Sequence, residues 1–202
     1  MSFLPDNYKV RKPPSLYMKF VEGDNKLRIL DKPIIGEVYW TTENKPVHLK
    51  EVPTAEPVNF RKAKGKEDQH WMNSVKHFWA MKVWNYNDEM IQVLEITQAS
   101  VQNPILNLFH SATWGDPKDY DLCVTRVEGA ITSYSVVPNP KTPLSDEITK
   151  AHKDTPVNLD ALYESGDPFS TEKPKRINPK VADPNAAEFE SEETVEVGDL
   201  PF

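Results

Sequence analysis

Lys76-His77-Phe78-Trp79-Ala80-Met81-Lys82-Val83-Trp84-Asn85-Tyr86 is the stretch on which the fold turns. Its residues alternate at the period of a strand, so Trp79, Met81 and Val83 share one face while Lys76, Phe78, Lys82, Trp84 and Tyr86 share the other. The first set is an apolar face able to fill a core. Asn87-Asp88 supplies a turn, and Glu89 to Ile96 returns as the second strand of a hairpin.

Working upstream, Lys26-Leu27-Arg28-Ile29-Leu30 repeats the alternation, with Leu27 and Ile29 inward and Lys26 and Arg28 outward. Pro33 and Gly36 mark a bend before Glu37 to Thr42 resumes as a strand, and a long first strand broken at a glycine is how a small barrel turns its corner. Asn44 to Leu49 is a further short strand, ended by Pro53 and Pro57. Residues 1–24 carry Lys9, Arg11, Lys12 and Lys19 around Pro13-Pro14, a basic arm that proline keeps from starting a helix.

Downstream, Thr97 to Phe109 reads as a helix with Thr97 as candidate cap, its stronger part starting at Pro104. Trp114-Gly115-Asp116-Pro117 is a turn, and Tyr120 to Val127 with Ala130 to Val137 form a second hairpin around Glu128-Gly129. Ser145 to His152 and Leu159 to Glu164 fit two short helices, and from Ser165 the spacing of Pro168, Pro174, Pro179 and Pro184 among charges predicts disorder. The outline is mainly β: a single OB-fold-like five-stranded Greek-key barrel with short helices and a disordered acidic tail. Strand spacing alone also admits an SH3-like barrel or a small sandwich. The expected divisions are a basic arm over 1–24, the folded domain over 25–164, and a linker with acidic tail over 165–202.

Charge is distributed unevenly. Residues 181–202 hold seven acids and no Lys or Arg, which equals the net charge of −7 and leaves residues 1–180 balanced. Phe60-Arg61-Lys62-Ala63-Lys64-Gly65-Lys66 is the densest positive cluster, in a region without apolar periodicity and followed by Trp71. All five tryptophans fall between 40 and 114, which places the expected functional centre there. Interleaved cations and aromatics on the face of Phe78, Lys82, Trp84 and Tyr86 suit sequence-tolerant binding of a single nucleic-acid strand, since every base offers a π-face and every nucleotide a phosphate. The other reading of that face is that Phe78 and Trp84 are buried beneath a loop or helix. On the first reading the candidate contacts are Arg28, Trp40, Phe60, Arg61, Lys62, Lys64, Lys66, Trp71, Phe78, Lys82, Trp84, Tyr86 and Arg126.

Other chemistries find little support. There is no Gly-x-Ser-x-Gly elbow, phosphate-binding glycine loop or His-Glu-x-x-His, so the chain is not read as an enzyme. Asp116, Asp119 and Asp121 read as a turn entering a strand more simply than as Mg²⁺ ligands. With one cysteine, Cys123, and five histidines lacking metal-site spacing, no metal or cofactor is expected. No basic-then-apolar leader and no apolar run near the roughly 20 residues of a span are present, so a soluble, cytoplasmic protein without membrane partners is expected.

The terminal Gly198-Asp199-Leu200-Pro201-Phe202 resembles the tip of bacterial single-stranded DNA-binding proteins, which end in acids followed by an apolar residue, Pro and Phe. The body is similar instead to phage-encoded single-stranded DNA-binding proteins. That likeness spans roughly 20–140 and rests on Asn25 to Leu30, Phe78 to Tyr86, and Trp114-Gly115-Asp116-Pro117 with Tyr120-Asp121-Leu122. The resemblance implies protection and organisation of single-stranded DNA during replication, recombination and repair, in the host-cell cytoplasm. It also implies replication and recombination proteins recruited through Asp199, Leu200, Pro201 and Phe202, and self-association along the strand. A protein-interaction adaptor and an RNA-binding OB protein are the alternatives.

Overall fold

The computed structural model describes residues 15–65 and 67–170. The arm up to residue 14, Lys66, and the tail from 171 with its tip Asp199, Leu200, Pro201 and Phe202 lie outside the described residues.

The strand read first is the centre of the sheet. β5 (Lys76–Asn85) carries β6 (Met90–Ile96) on one side, antiparallel, with Trp79 opposite Ile96 and Asn85 opposite Met90. Its other side is shared by two strands in line. β2 (Gly23–Ile29) pairs with the C-terminal end of β5, and β3 (Ile34–Trp40) with its N-terminal end. Leu30 still donates its N–H to the Lys82 carbonyl at 3.0 Å, after which Pro33, which has no N–H, falls in the break between the two ladders. The bend therefore lies at 30–33 and not at Gly36. That glycine sits inside β3 for a different reason: a Cβ there would lie 2.0 Å from the Leu49 carbonyl oxygen of β4 (Pro46–Leu49), which pairs with β3.

β7 (Asp121–Val127) returns to pair antiparallel with β2, from Arg126 opposite Gly23 to Asp121 opposite Arg28, and β8 (Ser133–Pro138) folds back on β7. At the opposite edge β1 (Tyr17–Met18) runs parallel to β6, with Tyr17 opposite Val93. The order is β1-β6-β5-β2-β7-β8, with β3 and β4 branching from β5. This is an open, mixed, mainly β sheet of eight strands, where five closed into a barrel were expected, and no ladder joins β8 to β6 or β1 among the described residues.

The sheet curls around one core. Leu27, Ile29, Met81, Val83, Leu94, Ile96, Leu122 and Val124 point into it, and α1 (Ala99–His110) closes it with Val101 and Ile105. The helix N-cap is Gln98 rather than Thr97, and the helix runs through Pro104 without interruption. Its first turns are tied to the sheet by Gln102, whose side-chain amide donates to the Ile96 carbonyl at 2.9 Å.

The other face of β5 is also covered. α2 (Asp146–Asp154), capped by the Ser145 hydroxyl, lays Ile148 onto Leu30, Trp84 and Ile91. A 3₁₀ turn over Leu159–Glu164 packs Leu162 onto Val38, Phe78 and Ala80. Both short helices occur where the sequence places them. The folded unit extends past both expected boundaries: Met18, from the expected arm, is in the main core, and Pro168, from the expected linker, is buried and accepts a hydrogen bond from the Asn158 N–H.

Candidate nucleic-acid interface

The burial of β5 on both sides decides where a ligand can bind. Phe78, Lys82 and Trp84 are 0%, 4% and 5% exposed, which corrects the expectation of an open stacking face. Lys82 instead donates from Nζ to the His152 carbonyl at the end of α2, at 2.8 Å, with Asp31 at 4.0 Å. A cation at a helix C-terminus offsets the partial negative charge there. Burial lowers the Lys82 ammonium from its usual range, opposed by Asp31.

Arg28 and Tyr86 are likewise structural. Arg28, 2% exposed, donates from Nε to Asp121 at 2.7 Å and from Nη2 to the carbonyl and hydroxyl oxygens of Thr142. The Tyr86 hydroxyl donates to the same Asp121 oxygen at 2.9 Å, and Lys26 reaches the other oxygen at 3.0 Å while lying over the Tyr86 ring. Burial pushes the Tyr86 phenol up to about 12, helped by Asp121. For Asp121, burial works upward, but hydrogen bonds from Lys26, Arg28 and Tyr86 outweigh it and hold the carboxyl below its usual range. This network locks β2, β5 and β7 in register. Asp116 and Asp119 face Lys118 and Lys141, so the three aspartates do not converge on one point.

Four sequence-derived candidates do come together, at the base of the segment joining β3 to β5. Thr41 bridges to Phe60, and Arg61 donates its N–H to the Trp40 carbonyl at 2.8 Å, which brings the two ends of the 41–60 segment side by side. Phe60 packs tilted on Tyr39 and edge-on to Trp71, at centroid separations of 5.6 and 6.0 Å. Trp71 is buried and Phe60 half-buried, so these two act as the base of the cluster. Trp40 is 43% exposed, and the Arg61 guanidinium lies 5.6 Å from its ring centre while also donating to Asn44. Lys62 is held by the Glu67 carbonyl and Lys64 is exposed. Arg126 stands apart, half-buried between the Phe20 carbonyl and Glu128.

Beside Trp40 opens a groove of about 640 Å³ between the β1 edge, the β3–β4 hairpin and the end of the 3₁₀ turn. Lys19, Lys45, Tyr17, His48 and Glu95 line it together with Trp40. Tyr17 stacks edge-on against Phe169, and its hydroxyl is held above its usual range by burial, Asp167 and Glu95. His48, 5% exposed, meets Glu95 Oε2 at 2.7 Å through Nε2 and packs edge-on to Phe78. The sequence singles out none of Tyr17, Lys45, His48 and Glu95, and Lys19 only as part of the basic arm. They meet only because β1 joins β6 in parallel and the β3–β4 hairpin folds over, two long-range events that no local spacing reports.

A second, more apolar groove of about 460 Å³ lies between α1 and the strands, lined by Ile35, Trp79, Leu106 and Phe109 with Lys32 and Lys118 at its rim. Among the described residues no helix is long and apolar enough to cross a membrane. Comparison with known protein families, curated proteins and solved structures finds no match to this chain.

Proposed function

We propose that the chain binds single-stranded DNA with little dependence on sequence, through the groove beside Trp40. The observation that carries this reading is the exposed Trp40 ring, stacked by Arg61 at 5.6 Å, beside a groove that also presents Lys19, and Lys45 in its pair with Glu43. Cations at the rim neutralise phosphates and release counterions, and a base stacked on Trp40 adds about 1–3 kcal/mol. The strand connectivity supports an OB-type reading. One long bent strand (β2–β3) pairs with β5, the β5–β6 hairpin leads into α1, and the β7–β8 hairpin returns to the first strand, which is Greek-key order with a helix after the third strand. β1 occupies the β6 edge at which such a barrel would close.

The acidic residues 181–202 complete the proposal from sequence: they compete with DNA for the groove and present Leu200-Pro201-Phe202 to replication and recombination proteins. The test is a tryptophan-fluorescence titration with single- and double-stranded oligonucleotides at two salt concentrations. Quenching by single strands, weakened by salt and by Trp40→Ala, is expected. No response to single strands, or unchanged affinity in Trp40→Ala, overturns the assignment. Deleting residues 181–202 should tighten binding, chiefly at low salt.

A second reading, a protein-binding adaptor, is favoured by one observation: Ile35, Leu106 and Phe109 are 55%, 40% and 52% exposed around the apolar groove. An adaptor would leave tryptophan emission unchanged on adding DNA.

A further inference from the structure

Glu95 is an acid inside a groove whose proposed ligand is a polyanion. It is not a stray surface charge. Its position on β6 is fixed opposite Ala80, and its Oε2 is gripped by the buried His48, itself braced against Phe78 at 4.8 Å. The Glu95 side chain is 33% exposed and lines the groove with Tyr17 and Trp40. The cations of this groove, Lys19, Lys45 and neighbouring Arg61, lie just after β1, in the β3–β4 turn, where Lys45 pairs with Glu43 at 2.8 Å, and in the loop after β4, while Glu95 lies on the sheet. A phosphate beside Glu95 would be repelled, whereas a group offering N–H donors would be held.

The geometry points to base-edge recognition: we propose that Glu95, steadied by His48, accepts hydrogen bonds from the amino-bearing edge of one base in the groove. The site then prefers cytosine, adenine or guanine to thymine in a single strand. This rests on the DNA-binding reading and adds a composition preference to it. The chemistry follows from donor patterns. Cytosine N4 and adenine N6 each carry an amino group, and guanine offers N1–H beside N2–H, a pair that matches a carboxylate. Thymine offers a single N3–H flanked by two carbonyl oxygens, which face the carboxylate unfavourably. A carboxylate accepting from cytosine N4 is an established mode of base discrimination. Because Glu95 is partly open to water, the low end of the range for such contacts applies, about 5-fold.

The test uses the full chain and labelled oligonucleotides of equal length. Oligo-dC should bind about 5-fold more tightly than oligo-dT, and replacing cytosine by N4,N4-dimethylcytosine, which has no N4–H, should remove the advantage. Glu95→Gln should bring dC and dT together. Because that variant could unfold, the dimethylcytosine comparison on the wild-type protein stands alone as a sufficient test. Equal affinity for dC and dT, an undiminished affinity for the dimethylated strand, or a preference that survives in folded Glu95→Gln overturns the inference while leaving the DNA-binding reading intact. Failure of every single strand to bind overturns both.

Discussion

Trp40 and Trp84 are both tryptophans in strands that pair with β5 or form it, yet truncating them should have opposite consequences. Trp84 is 5% exposed and packs in a cluster with Leu30, Ile91 and Ile148. Removing its indole leaves a cavity beneath α2, and a buried Trp→Ala change costs about 3–5 kcal/mol. For a folded unit of this size, about 2–4 °C of Tm accompanies each kcal/mol, so Trp84→Ala should lower Tm by about 6–20 °C. Trp40 is 43% exposed, and its loss should hardly move Tm. It should instead remove a stacking platform worth about 1–3 kcal/mol, or about 5- to 150-fold in affinity. Thermal melts and oligonucleotide titrations on both variants check this, with titrations run well below the lowered Tm. A Trp84→Ala protein that melts like wild type but loses DNA binding would refute the reasoning, because the face beneath α2 would then be the working one.

Other outcomes follow from the same geometry. Asp121→Asn leaves Arg28 buried without its counter-charge and should cost about 3–5 kcal/mol in denaturant unfolding. Because the folded carboxyl of Asp121 is held low, its stabilisation is present above the unfolded value and lost as pH falls through the folded one. Wild type should therefore weaken below about pH 4, with that acid limb reduced in the variant. Tyr86, raised from 10.0 to about 12, contributes stability that is complete below pH 10.0 and lost as pH rises toward 12, which phenolate absorbance can follow. Arg61→Met should flatten the plot of log affinity against log salt by about 0.7, while Lys82→Met, removing a cation that faces α2, should leave that slope unchanged. Gly36→Ala places a Cβ 2.0 Å from the Leu49 oxygen, so β4 must move away, read as faster amide exchange along β3 and β4.

The strand-turn-strand grammar of this chain is local, which is why β2, β5, β6, β7, β8 and both short C-terminal helices are legible from alternation, turn residues and proline spacing. The sequence marks the bend at Pro33 and Gly36 together, because proline and glycine are both breakers. Only the third dimension shows that Pro33 interrupts the ladder and that Gly36 makes room for β4. The larger difference concerns Phe78, Lys82 and Trp84, where the buried alternative holds. Alternating cations and aromatics describe a stacking platform and a packed second face equally well, and the cover is supplied over Trp84 and Lys82 by α2, whose single buried residue, Ile148, gives little sign of it, and over Phe78 by the 3₁₀ turn at Leu162. Arg28 points away from the core as alternation predicts, but the 118–142 region folds over it. Phe60, Arg61 and Trp71 are legible because they lie in or beside the basic cluster, and Trp40 because the tryptophans concentrate between 40 and 114, whereas Tyr17, His48 and Glu95 come from three separate segments with no such local signal.

β1 is only two residues long, and its parallel pairing with β6 does two things at once. Without it β6 would present an unsatisfied row of backbone donors and acceptors, a template on which another chain's strand could assemble. The Leu16 carbonyl, which accepts from the Val93 N–H at 3.0 Å, and the Gln92 side chain, which donates to the Ser15 carbonyl at 2.6 Å, fasten this seal. The same pairing carries Tyr17 and Lys19 to the groove wall. Protection against strand-to-strand aggregation and assembly of the ligand groove are thus one event, and fraying at Ser15–Met18 would forfeit both together.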